Sequence, residues 1–164
     1  MPISPSSVLP ATRSAQLQAT LAWIEAVSSA DFAAMQDAVT EDYTQELLPA
    51  DSQHPPWPSR AAYLEFYSKL LPNFASFVTT IHEVKECKGL VLMDASSVAD
   101  TITGFHYEMA YDLTFTVAQQ TDGSYKVTSL KEHFRDTAAR DALEKHFILQ
   151  VQAPQAGWAG AFGN

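Results

Sequence analysis

Apolar residues recur at helical spacing in the first part of the chain and at alternating positions in the second. Four apolar residues of the segment 14–29 are separated by three or four positions, so they share one side of a helix: Leu17, Leu21, Ile24 and Val27. A second, shorter helix is predicted after an N-cap at Ser29 or Asp31. A third begins after Ser59 and ends at Pro72, because proline cannot continue a helix.

The remaining segments are rich in β-branched and aromatic residues, which favour strands. The strand-like YTQELLP, residues 43–49, lies between the second and third helices, and four longer strands follow from residue 75. The segment TAARDALEKHFILQ, residues 137–150, reads as a final helix. Helices gathered before a run of antiparallel strands predict an α+β domain with the helices packed on one face of the sheet.

This order of segments predicts one domain with a short extension at each end. Residues 1–13 contain several prolines and are expected to be flexible, and residues 14–150 form the single domain. Residues 151–164 are rich in Gly and Ala but carry Trp158 and Phe162. We expect this segment to be either a flexible tail or a lid over a cavity.

Composition restricts the partners. With 10 Lys and Arg against 19 Asp and Glu, the formal charge of −9 repels phosphate backbones and anionic lipids, so we expect no nucleic-acid partner. No stretch approaches the ~20 apolar residues of a membrane span, and no signal peptide is evident, which predicts a cytoplasmic protein without a membrane partner. The single cysteine, Cys87, cannot form an internal disulfide and is expected to be a bystander.

The dipeptide Asp122-Gly123 is a strong hairpin signal and sets a pairing register for the last two strands. If Thr121 pairs with Ser124, then Asp112 faces His133. Alternation places a polar set on one face of the sheet: His106, Glu108, Asp112, His133 and Arg135. The other face is apolar and contains Phe105, Tyr107, Met109, Tyr111, Leu113, Phe115, Leu130 and Phe134.

The polar face offers a candidate catalytic group. A carboxylate opposite an imidazole fixes its tautomer and raises its basicity, so Asp112 and His133 suit a general base, with Glu108 as a second acid or base. The alternative is that this face meets solvent or a dimer partner, because antiparallel strands commonly have one wet face.

Three short motifs resemble a known group of proteins. The strand DYTQELLP before a Pro-Pro loop, the strand YEMAYDLTF and the closing KEHFRDT resemble a fungal branch of SnoaL-like proteins. Phe134 and Asp136 match the Phe and Asp of that branch's closing pattern, and His133 stands where it usually has Glu. With the order of segments, these motifs make the chain similar to the nuclear transport factor 2-like superfamily, which includes ketosteroid isomerase, scytalone dehydratase and SnoaL-like polyketide cyclases.

The resemblance implies a cone-shaped, curved antiparallel sheet that encloses a cavity with the helices. In such folds the loop after the first strand forms part of the cavity rim, which places Tyr43 and His54 near an opening, with Trp57 as an apolar rim residue. Trp23 occupies a region where related folds have cavity-lining aromatics. For His54 the alternative is an exposed loop histidine, and for Trp23 it is a core residue.

The implied function is that of a cofactor-independent isomerase, cyclase or dehydratase of fungal secondary metabolism. It would act on a small apolar metabolite of polyketide or terpenoid type, with Tyr107 or Tyr111 as proton donors if the apolar face lines the cavity. No metal-ligand set is legible in the sequence, so no metal is expected. The resemblance also implies a homodimer. The alternative function is a non-catalytic module that binds a small molecule or dimerises.

Overall fold

The computed structural model describes residues 3–150, the last three as backbone only. In chain order the elements are α1 (Ala15–Ser28), α2 (Phe32–Ala38), β1 (Val39–Leu48), α3 (Arg60–Leu70), β2 (Phe74–Cys87), β3 (Leu90–Thr101), β4 (His106–Gln119), β5 (Tyr125–Phe134) and α4 (Thr137–Gln150). This is the predicted order. The second helix is shorter than expected, because the strand that follows it begins at Val39.

Side-chain caps define where the first three helices begin. Ser14, Asp31 and Ser59 each accept a hydrogen bond from the backbone N–H three residues further along. A capping oxygen satisfies one of the N–H groups that the first turn leaves without a partner. Asp31, rather than Ser29, is therefore the cap of α2. The predicted apolar side of α1 is buried against the sheet.

The strands form one open sheet in the order β1-β5-β4-β3-β2. All neighbours are antiparallel except β1 and β5, which run parallel, so the sheet is mixed rather than wholly antiparallel. One face carries the large buried residues of β3, β4 and β5, and α1 packs against it. The fold class is confirmed as an α+β cone fold.

The hairpin register is confirmed over most of its length but not at the turn. Asp112 pairs with His133, whereas Gln119 pairs with Tyr125, so the expected pairing of Thr121 with Ser124 is wrong. The turn is closed instead by a hydrogen bond from the Gly123 N–H to the Gln120 carbonyl, with Gly123 at φ +86°. A bulge restores the predicted register, because Thr116 pairs with Ser129 and Val117 with Val127, leaving one extra residue on β5.

The segment before α1 runs along β2. Backbone N–H groups of Ser4 and Val8 donate to the carbonyls of Thr79 and Ile81, both at 2.8 Å. These bonds use backbone groups at the edge of the sheet, which would otherwise remain unpaired. At the other end, the proposed lid with Trp158 and Phe162 lies outside the described residues. Among the helices of the described part, none is long and apolar enough to cross a membrane.

Candidate active site

A cavity lies between the buried face of the sheet and the helices. Its empty space is about 720 Å³ when solvent at the mouth is included. The side chains around it are mostly apolar and aromatic, and they include Trp23, Leu47, Trp57, Phe66, Tyr67, Leu71, Tyr107, Tyr111, Leu113, Glu132, Phe134 and Leu143. A largely apolar concave site with a few polar groups is typical of small-molecule binding.

Glu132 is the one carboxylic acid among the described residues that line this cavity. It lies on β5 between Leu130 and Phe134, both buried, and strand alternation turns all three side chains to the same face. The cavity leaves part of its surface accessible, but protein surrounds the group closely. Burial raises the pKa of Glu132 from its ordinary value of 4.5 to about 7, and the hydrogen bond from Gln45 opposes this rise.

Gln45 links this carboxyl group to two tyrosines. Its side-chain oxygen accepts a hydrogen bond from the Tyr43 hydroxyl at 2.7 Å. Its Nε2 donates to the Tyr67 hydroxyl oxygen at 3.2 Å and to Oε2 of Glu132 at 3.1 Å. Gln45 is almost completely buried, so all its polar atoms are satisfied by protein groups.

Three tyrosine hydroxyls are among the other polar groups of the cavity wall. Tyr67, Tyr107 and Tyr111 line the cavity, and burial raises the pKa of each well above its ordinary value of 10. The negative charge of Glu132 raises each of these pKa values further. All three phenols are therefore neutral near pH 7 and can donate a hydrogen bond to a ligand oxygen.

The three sequence-predicted catalytic residues lie on the opposite face of the sheet. The side chains of His133, Asp112 and Glu108 are 53%, 52% and 71% exposed. Asp112 does face His133, but its closer partner is Arg135, whose Nε donates to Asp112 Oδ2 at 3.1 Å, while His133 Nδ1 is 3.9 Å from that oxygen. Glu108 contacts His106, with Nε2 to Oε1 at 3.1 Å. The structure therefore separates these three residues from the cavity.

Four of the six predicted substrate-binding residues line the cavity: Trp23, Trp57, Tyr107 and Tyr111. Tyr43 is fully buried behind the wall, where it holds Gln45. His54 is also buried, which contradicts the alternative of an exposed loop histidine.

The loop that contains His54 is held against the last helix by charged groups. His54 Nδ1 lies 2.7 Å from Asp51 Oδ1, and its Nε2 lies 3.4 Å from Glu144 Oε2 on α4. The buried guanidinium group of Arg140, also on α4, lies 3.1 Å from Asp51. His54 therefore connects the rim loop, which also contains the cavity residue Trp57, to α4.

Three residues of the candidate site were not predicted from the sequence: Glu132, Gln45 and Tyr67. The signal for Glu132 was present, because it has the same strand parity as Leu130 and Phe134, which were assigned to the apolar face. Gln45 likewise alternates in phase with Tyr43 and Leu47. Within residues 3–147, no three His, Cys, Asp or Glu side chains converge in a way that could hold a metal ion.

The raised pKa of Glu132 predicts a specific pH dependence of stability. The native state holds this proton up to a higher pH than the unfolded chain, so its contribution to the free energy of unfolding is full below pH 4.5 and declines until about pH 7. We expect wild type to lose about 2 kcal/mol relative to Glu132→Gln between pH 5 and pH 8, with cavity water screening part of the charge. Urea unfolding of both proteins at both pH values measures this difference.

The comparison cancels other titrating groups, because both proteins contain them. Glu46→Gln is the matched control, since Glu46 lies on the same two-strand ladder but faces outward toward Lys131. A pH-independent difference between wild type and Glu132→Gln would show that Glu132 titrates normally.

Comparisons with known proteins agree with this fold. The fold is similar to PrhC from Penicillium brasilianum NBRC 6234 (20% identity, TM-score 0.68, covering 87% of this chain and 95% of that one). It is also similar to the BvnE pinacolase from Penicillium brevicompactum (15% identity, TM-score 0.70, covering 84% of this chain and 96% of that one). A third similar structure is an LEH-like epoxide hydrolase of M. tuberculosis (16% identity, TM-score 0.64, covering 85% of this chain and 97% of that one). No curated protein matches the sequence significantly. A family model described as a SnoaL-like domain matches residues 20–128, more than half of the chain, so the protein belongs to the SnoaL-like domain family.

Proposed function

We propose that the protein is a cofactor-independent isomerase, cyclase or dehydratase that moves protons on a small apolar metabolite, with Glu132 as the acid-base group. The observation that carries this proposal is a single carboxyl group with a pKa of about 7 inside an apolar, tyrosine-lined cavity. A general acid or base is most effective when its pKa is near the working pH, because both protonation states are then populated. Outward-facing carboxylates such as Asp112, whose pKa Arg135 lowers, do not meet this condition.

The cavity groups suit proton transfer next to a carbonyl. Glu132 as the carboxylate takes a proton from the carbon beside the carbonyl, and the electron pair of that C–H bond moves toward the carbonyl oxygen. A neutral hydroxyl of Tyr67, Tyr107 or Tyr111 donates a hydrogen bond to the developing oxyanion. Protonated Glu132 then returns the proton to the γ-carbon when the substrate has a β,γ double bond, which shifts that double bond into conjugation, or to a β-hydroxyl group that leaves as water. All of these steps use the chain's own residues.

The substrate class follows from the cavity wall and from the relatives. The lining is mainly aromatic and aliphatic, which favours a compound with few polar groups. Fold neighbours include a fungal pinacolase and an epoxide hydrolase, whose names describe reactions on alcohols and epoxides. With the fungal motifs, this supports a polyketide or terpenoid metabolite of secondary metabolism.

Deuterium incorporation tests the proposal with candidate substrates. Purified protein is incubated in D₂O with a panel of apolar polyketide and terpenoid ketones, and mass spectrometry follows both conversion and uptake of deuterium. We expect wild type to catalyse uptake with at least one compound, and Glu132→Gln to lose at least about 100-fold in rate, because general acid-base catalysis contributes about 10²–10⁴-fold. Calorimetric binding should be retained in the variant.

The catalytic residues predicted from the sequence lead to the opposite expectation for deuterium uptake by the variants. If His133 and Asp112 are the catalytic pair, His133→Gln and Asp112→Asn abolish uptake while Glu132→Gln retains it. Binding by wild type without uptake across the whole panel would favour the alternative function, a non-catalytic small-molecule-binding module.

We also propose that the outer face of the sheet packs against a second copy of the chain. Val98 and Leu92 on β3 are 43% and 38% exposed, and Val78 on the neighbouring β2 strand, the pairing partner of Val98, is 38% exposed. Arg135 and Asp94 lie on the same face and carry opposite charges. Because a two-fold interface brings the same patch together, apolar centres and opposite charges can pair across it.

Light scattering at micromolar concentration is expected to give the mass of a dimer. Val98→Asp should shift the protein toward monomer, because it places a charge at the centre of the patch. Val8→Asp is the matched control, since Val8 is 64% exposed but lies on the segment before α1. A monomeric wild type, or dimers that survive Val98→Asp and dissociate in Val8→Asp, would refute this interface.

A further inference from the structure

We propose that Gln45 is a positioning residue that selects which oxygen of Glu132 exchanges a proton with the ligand and turns the Tyr67 hydroxyl toward that ligand. The proposal deepens the proposed function and rests on it for the chemistry of the ligand. It assigns a directional role to a buried amide.

The backbone of Gln45 is held on both sides, which gives its side chain a fixed origin. On one side, Gln45 pairs with Leu130 of β5 in the parallel ladder. On the other, the Trp57 N–H donates to the Gln45 carbonyl at 2.8 Å, and the Gln45 N–H donates to the Trp57 carbonyl at 3.1 Å. Positioning groups that sit on such fixed elements are preorganised, so they do not have to reorganise during reaction.

The Tyr43 hydroxyl fixes which end of the amide faces the cavity groups. Tyr43 is fully buried and donates to Oε1 of Gln45. Oε1 is therefore occupied, and the Nε2 end, with two hydrogens, faces Tyr67 and Glu132. An amide nitrogen only donates hydrogen bonds, so both partners must act as acceptors.

Two consequences follow for the proton positions. Glu132 accepts from Gln45 through Oε2, and within the described residues Oε1 has no hydrogen-bond partner, so Oε1 is the oxygen that gains and loses the proton. Tyr67 uses its oxygen lone pair for Gln45, and its own O–H donates to no described residue. Because Tyr67 lines the cavity, that O–H is available to a ligand oxygen.

The positions of Glu132 and Tyr67 restrict the functional groups of the ligand more than the apolar cavity wall does. Oε2 of Glu132 and the Tyr67 oxygen both lie within 3.2 Å of Gln45 Nε2. Oε1, the proposed proton acceptor, belongs to the same carboxyl group as Oε2, so the carboxyl group and the Tyr67 hydroxyl are close neighbours. The fitting ligand has one oxygen that accepts from Tyr67, and an acidic C–H beside the carbon that bears it. An apolar ketone with an α-hydrogen meets both conditions.

Gln45→Met tests the proposal, because methionine has a similar length and flexibility but lacks the amide donors. The pH titration of the Glu132 carboxyl carbon is followed by ¹³C NMR in protein without ligand and assigned with Glu132→Gln. Loss of a charge-assisted hydrogen bond should raise the titration midpoint by about one pH unit. Tyr43→Phe should raise it by less, because the amide remains but is no longer oriented. Glu46→Gln, the outward-facing neighbour, should leave it unchanged.

The ketone exchange rate gives an independent readout. With a midpoint one unit higher, the ionised fraction of Glu132 at pH 7 falls about fivefold, so exchange by Gln45→Met should fall by that factor and recover as pH rises. An unchanged or lowered midpoint in folded Gln45→Met refutes the role of Gln45. If that variant does not fold, an unchanged midpoint in Tyr43→Phe refutes it instead. Neither titration needs a substrate, so failure of the proposed catalysis appears separately, as absence of exchange by wild type.

Discussion

The proposed chemistry of this site depends on a balance between burial and one hydrogen bond at Glu132. An ionised carboxylate in an apolar cavity loses the stabilisation that water would give it, which raises its pKa. The Gln45 amide returns part of that stabilisation through its contact with Oε2. The result is a group that is populated in both protonation states near neutral pH. Neither burial alone nor a fully solvated carboxylate would produce this property.

The remainder of the fold supplies the apolar surroundings of Glu132 and holds Gln45 in place beside it. The buried face of the sheet and helices α1 and α3 supply the apolar and aromatic wall, including Trp23, which packs 5.5 Å from Phe115 between ring centres. The rim is closed by the loop after β1, and the pairs of His54 with Glu144 and of Arg140 with Asp51 attach this loop to α4. Trp57 connects rim and site, because it pairs with Gln45 through its backbone and lines the cavity with its ring.

Local sequence patterns predicted the elements well, because those elements depend on local chemistry. Apolar spacing located α1, and residues 137–150 were correctly assigned to a helix. The Asp122-Gly123 signal identified the hairpin and its two faces, although the bulge on β5 changed the pairing beside the turn. The parallel pairing of β1 with β5 joins segments about 85 residues apart, and no local pattern encodes it.

The site was harder to predict, because titratable groups are easiest to notice where they cluster. His133, Asp112 and Glu108 were predicted to be catalytic because they cluster on the polar face. Ion pairs such as that of Arg135 with Asp112, however, are typical of a solvated surface. On its face of β5, Glu132 is a single acid between two apolar residues. Its proposed role depends on Gln45, which contacts it from β1. The burial of His54 likewise depends on α4, far away in the sequence.

We propose that ligands bind on the inner face of the sheet, beside Glu132, and not on its titratable outer face. The most direct measurement is an NMR titration with 2-naphthol, a small apolar molecule with one hydroxyl group, in protein with ¹³C-labelled tyrosine and histidine rings. We expect saturable shifts of the Tyr67, Tyr107 and Tyr111 resonances, with those of His106 and His133 unchanged. Shifts confined to His106 and His133 would contradict it.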